Sequence, residues 1–152
     1  MNRELKIRLF KATVESVLLY GAEAWTISKA MEKRLDGLYT KLLRTVLNVS
    51  WRQRLTNEHL YQDLPKLSIL IADRRMRLAG HCVRHSDEIA HQLVLWEPNR
   101  GRRSRGRPAA TYVDVLRRDT RLDDTNEIRS VMMNRAVWRK LVMSGRADAR
   151  PR

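Results

Sequence analysis

One cysteine in 152 residues is too few for an intrachain disulfide, and Cys82 alone excludes a cysteine-rich zinc site, which fits a reducing compartment. Acids are scarce too: 17 Asp and Glu stand against 31 Lys and Arg, a formal net charge of +14 at pH 7. Such a surplus repels itself until a polyanion discharges it, and nucleic acid is the commonest polyanion. No apolar run approaches the ~20 residues that a membrane-spanning helix needs. Met1 to Glu4 lead into a charged amphipathic segment rather than a signal peptide. The expectation is an intracellular, nuclear protein without a membrane partner.

Also missing are alternating strand pairs joined by hairpin turns and any fixed-period repeat. No phosphate-cradling Gly-Lys-Ser/Thr loop, nucleophile elbow or paired histidine-glutamate metal motif occurs. The sequence therefore predicts no catalysis, no cofactor and no bound metal. His81, Cys82 and His85 have ligand-like spacing but want a second closely spaced pair, so packing is the better account of Cys82. Asp123 and Asp124 lack the apolar strands that would hold two carboxylates on metal ions, which leaves helix capping.

What is present is helical periodicity, and hydrophobic residues at 43% are enough for a core. Residues 4–20 predict one amphipathic helix. A second, capped by Ser28, has Met31, Leu35, Leu38, Tyr39, Leu42, Leu43 and Val46 on its apolar side and Lys29, Lys33, Arg34, Lys41 and Arg44 on its polar side. A connection with Trp51 follows, then a short helix from Thr56 that stops before Leu64-Pro65, then a long helix starting at Ser68. Ser86-Asp87-Glu88 marks another start. Thr111, Thr125 and Asn134 open the last three helices.

The expected fold is all-α, an irregular multi-helix bundle with a basic Arg/Gly loop and a disordered C-terminal tail. Its parts are a helical thumb-like domain at 1–98, a flexible basic loop at 99–110, short C-terminal helices at 111–144 and a tail at 145–152. In the loop Arg100, Arg102, Arg103, Arg105 and Arg107 alternate with Gly101, Ser104 and Gly106. Each guanidinium there can reach a phosphate, so the loop reads as a nucleic-acid clamp, against the bland alternative of a solvated linker or a nuclear-targeting run. Most Trp and Tyr residues sit at core spacing. For Trp51, beside Arg52 and Arg54, core packing and stacking on a base or primer end are evenly matched.

Several segments together resemble a known family. They are Leu18-Leu19-Tyr20-Gly21-Ala22-Glu23-Ala24-Trp25-Thr26, then Leu42 to Trp51, then Arg74-Arg75-Met76-Arg77-Leu78-Ala79-Gly80-His81-Cys82-Val83-Arg84, and Arg103 to Pro108. Their order and spacing resemble the region following the palm in LINE-type, non-LTR retrotransposon reverse transcriptases. The resemblance implies a helical thumb and post-thumb segment that grips template-primer duplex, while the palm carries the polymerase aspartates. This chain has no Tyr-x-Asp-Asp signature, so polymerase activity is not carried over. The implied role is a nucleic-acid-binding fragment, phosphate-led and weakly sequence-specific, taking RNA or DNA. A reverse-transcriptase palm or another protein is the further partner. The candidate contacts are Lys41, Arg44, Trp51, Arg52, Arg54, Arg74, Arg75, Arg77 and the five loop arginines named above. The rival readings are a protein-interaction module and a translated retroelement remnant without function.

Overall fold

Asn2 opens the first helix by accepting the Glu4 backbone N–H on its side-chain oxygen. α1 (Arg3–Phe10) runs through a π-helical turn (Lys11–Glu15) into α2 (Ser16–Leu18). The predicted helix over 4–20 is therefore one run with a widened turn, beside which Thr13 and Ser16 donate back to the Leu9 and Ala12 carbonyls. Gly21, at φ +66°, then turns the chain into a 3-10 helix, Ala22–Ala24. The computed structural model describes residues 2–87, 89–97 and 110–148. Every regular element among them is helical.

α3 (Lys29–Val46) begins at Ser28, whose hydroxyl accepts the Met31 N–H at 3.3 Å, as the sequence predicts. After a 3-10 turn (Trp51–Gln53), α4 (Asn57–Tyr61) is capped by Thr56 and stops short of Pro65. α5 (Leu67–Arg84) starts from Lys66 rather than Ser68. Ser68 instead gives both its N–H and its hydroxyl to the Asp36 carboxylate, each at 2.8 Å, and so fastens α5 to α3. α6 (Ile89–Val94) and α7 (Tyr112–Thr120) follow, α7 with a full capping box between Thr111 and Asp114. α8 (Thr125–Met133) is capped by Asp124, and α9 (Arg135–Asp148) closes the described chain.

α9 passes residue 145 and runs to Asp148. Gly145 weakens a helix by only about 1 kcal/mol relative to Ala, and the next strong breaker is Pro151. Residues 149–152 lie outside the described part, as does the predicted basic loop apart from Ala110.

The buried side chains form two cores. The first gathers Phe10, Leu19, Tyr39, Leu43, Leu60 and Tyr61. The second gathers Leu95, Leu116, Ile128, Met132, Trp138 and Val142. α5 belongs to both, with Leu67 and Ile71 in the first and Met76, Ala79 and Val83 in the second. Where α9 crosses α5 the contact is backbone-close: the Trp138 indole donates to the Met76 carbonyl at 3.0 Å. A Cβ on Gly80 would lie 2.6 Å from Trp138 Cδ1, so close helix contact is the reason for that glycine.

Candidate nucleic-acid interface

A cation already satisfied inside the fold is not available to a phosphate, so each candidate is judged by its partners. Arg75 is the clearest correction. It lies 1% exposed and ion-pairs with Asp119 of α7, leaving Nε and Nη2 buried without a hydrogen-bond partner among the described residues. A guanidinium so placed cannot reach a polyanion. The signal was in the sequence: Leu67, Ile71, Arg75, Ala79 and Val83 recur every fourth residue and all are buried, so Arg75 stands on the inner stripe of α5.

Three further candidates hold the fold together. Arg44 donates from one Nη2 to the Leu55 carbonyl at 2.6 Å and to Asn57 Oδ1 at 3.1 Å. Arg74 donates to the Leu19 carbonyl at 3.0 Å. Arg77 is exposed but paired with Asp73 at 3.0 Å, one helical turn back. These bonds leave each residue partly open to solvent while occupying part of its donor capacity. Arg100, Arg102, Arg103, Arg105 and Arg107 lie outside the described residues.

Around the Arg75 pair lies a tight charge network. Arg118 ion-pairs with Glu32 and also approaches Asp119 at 3.5 Å. Burial raises the Glu32 carboxyl above the ordinary value, more than the Arg118 charge lowers it. Tyr112 donates to the Glu23 carbonyl at 3.2 Å. Burial pushes its phenol up to about 12, so it remains a donor at neutral pH. Arg117 grips Glu97 through both Nη atoms, at 2.7 and 3.1 Å, and that bond raises its pKa. These arginines count toward the net charge yet serve the structure.

A group of exposed cations lies on α3 and the turn after it. Lys29, Lys33, Arg34 and Lys41 are exposed, whereas Leu35, Tyr39, Leu43 and Val46 pack into the first core. None has a hydrogen bond or ion pair from its charged end among the described residues. Lys29, Lys33 and Arg34, which the pattern assigns to the polar side without marking them as contacts, thus extend the Lys41 surface. Arg52 and Arg54 are exposed in the turn, and no acidic residue occurs between Asp36 and Glu58.

Trp51 stands in the middle of that turn, 80% exposed, with the Arg52 guanidinium 5.6 Å from its ring centroid. The alternative left open by sequence is thereby settled against core packing. Tyr20 departs from its core-like spacing in the same direction, at 85% exposure, whereas Tyr39, Tyr61 and Trp138 are buried as expected.

The remaining motifs resolve as structure. Asp124 Oδ1 accepts the Asn126 N–H at the start of α8, the capping role expected of it. Cys82 is buried and in no disulfide. His81 and His85 pack ring against ring at 4.2 Å. Among the described residues no group of three or more His, Cys, Asp and Glu could hold a metal ion. No helix among them is long and apolar enough to cross a membrane.

Compared with known proteins, the chain is 26% identical over 132 residues to an uncharacterized transposon-derived protein of Caenorhabditis elegans. The match covers 82% of this chain and 47% of the relative, so the chain spans about half the length of that protein. The likeness supports a transposon origin. No family model matches the chain, and no solved structure does.

Proposed function

We propose that this chain is a nucleic-acid-binding piece of a retroelement reverse transcriptase, corresponding to the thumb and post-thumb region and acting without catalysis of its own. The observation that carries the reading is the group of exposed cations on α3 and the following turn, a stretch without acid from Gly37 to Asn57. Lys29, Lys33, Arg34, Lys41, Arg52 and Arg54 are exposed, have no hydrogen bond or ion pair from their charged ends among the described residues, and are uninterrupted by acid beyond Asp36. Point charges on a convex helix recognise the phosphate backbone and not base edges, so binding is weakly sequence-selective. The arginines of 100–107 add a second basic element, and a nuclear location follows from the same partner. The transposon-derived relative supports the retroelement origin.

The test is filter binding of RNA and DNA from about 50 to about 500 mM salt, where counterion release predicts a steep fall in affinity. Replacing Lys33, Arg34 and Lys41 by Gln lowers the salt slope by about one for each phosphate left without its cation. Replacing Arg102, Arg103, Arg105 and Arg107 by Ala weakens binding with circular dichroism unchanged. A flat salt response refutes the reading.

A second reading rests on a different surface. Leu5, Leu9, Val17 and Tyr20 are exposed along α1, α2 and the turn beyond, with Val17 at 75%. Such a patch supports protein docking, by a palm or another protein. Partners retained in a pulldown after nuclease digestion favour it, and partners released by the nuclease favour nucleic acid.

A further inference from the structure

Trp51 is presented in a way that packing does not explain. The chain enters its turn through Asn48 at φ +57° and leaves through Arg54 at φ +48°, both left-handed without being glycine. Asn adopts this region readily past the end of a helix, whereas a left-handed Arg costs on the order of 1–3 kcal/mol and persists where the surroundings over-determine it. Here the surroundings do. Val49 N–H donates to the Arg44 carbonyl at 2.9 Å, and Gln53 N–H to the Ser50 carbonyl at 3.1 Å. Ser50 Oγ accepts the Arg52 N–H, and the Arg44 guanidinium clasps the Leu55 carbonyl. Val49 and Leu55 anchor both ends of the turn against the first core. The result is a fixed mount whose one large side chain points outward.

An exposed indole on a fixed mount, flanked by guanidiniums, suits one ligand chemistry: a flat aromatic base carried on phosphates. We propose that Trp51 is a stacking platform for an unpaired base of a single-stranded nucleic acid, with Arg52 and Arg54 neutralising the adjoining phosphates. Arg52 already lies over one part of the ring, and a guanidinium can stack on an indole while its edge donates to phosphate. Every base has a π face, so such a platform tolerates any sequence. In a continuous duplex the faces are taken by neighbouring bases, which directs Trp51 to a strand end, a gap or a single strand. This inference rests on the phosphate-led reading above and adds to it a part that depends on the base.

The experiment uses the full chain at low salt and three fluorescent probes of equal length: oligothymidylate, the same backbone with every base removed, and a duplex. Trp51→Ala should weaken oligothymidylate binding by about 5- to 150-fold, the range for removal of one base stack. It should leave the abasic strand and the duplex as in wild type, with the oligothymidylate salt slope unchanged. Trp51→Phe, which keeps a ring, should retain most of the affinity. At 80% exposure the substitution leaves the cores intact, and circular dichroism verifies that the fold survives. If Trp51→Ala binds oligothymidylate as wild type does, or loses all three probes equally, the platform is refuted while phosphate binding stands. If the wild-type chain binds none of the probes, the phosphate-led reading falls and the platform with it.

Discussion

At the scale of single residues, the arginines divide by what they already hold, and Arg75 is the extreme case. Its ion pair with Asp119 lies out of water, with the two side chains 1% and 10% exposed. A buried pair gains little over well-packed apolar groups, but removing one partner strands the other charge, at about 3–5 kcal/mol. Asp119→Ala should therefore cost that much, and Arg75→Met less, because Asp119 keeps the Arg118 guanidinium at 3.5 Å; equal losses in urea denaturation would contradict the account. Arg75 shares the four-residue spacing of Leu67, Ile71, Ala79 and Val83, yet its residue type reads as a phosphate contact, and nothing local points to its partner 44 residues away. Composition gives the number of guanidiniums. Their destinations depend on tertiary geometry.

At the scale of elements, legibility followed how local the physics is. Ser28, Thr111 and Asp124 cap their helices as the sequence suggests, because an N-cap involves only the next three residues, and Thr56, where a helix is expected to start, is the cap of α4. Ser68 is not the cap because α5 already starts at Leu67, and from inside the first turn Ser68 donates to a distant carboxylate, Asp36. The connection around Trp51 was legible, and Asn48 is a residue that ends helices in the left-handed region, but the left-handed Arg54 was not, because arginine carries no such signal. The amphipathicity of α3 was plain, and with it the basic face. Its weak point was plain too. Gly37 lies mid-helix and exposed, and an added Cβ meets nothing within 4 Å. Gly37→Ala should stabilise the protein by about 1 kcal/mol, seen as a higher urea midpoint with an unchanged m-value. A lower midpoint would mean that the space beside Gly37 is needed.

At the scale of the molecule, composition divides the chain near residue 99, whereas the buried side chains divide within α5. Leu67 and Ile71 serve one core, Met76, Ala79 and Val83 the other, and Arg75 stands between them. Bonds from α7 reinforce the join, through Arg118 to Glu32 and Tyr112 to the Glu23 carbonyl. A helix shared in this way couples the two cores, so damage to it should not stay local. Ala72→Pro removes one helical hydrogen bond and clashes with the preceding turn, at about 3 kcal/mol or more, at the point where α5 passes from the first core to the second. Both cores should then melt together, as read by hydrogen exchange at Leu43 in the first and Leu116 in the second. Protection that vanishes at Leu43 and persists at Leu116, or the reverse, would show that the halves fold independently. In that case the basic face of α3 could be studied apart from the C-terminal helices, and the thumb-like boundary would belong within α5 and not near residue 99.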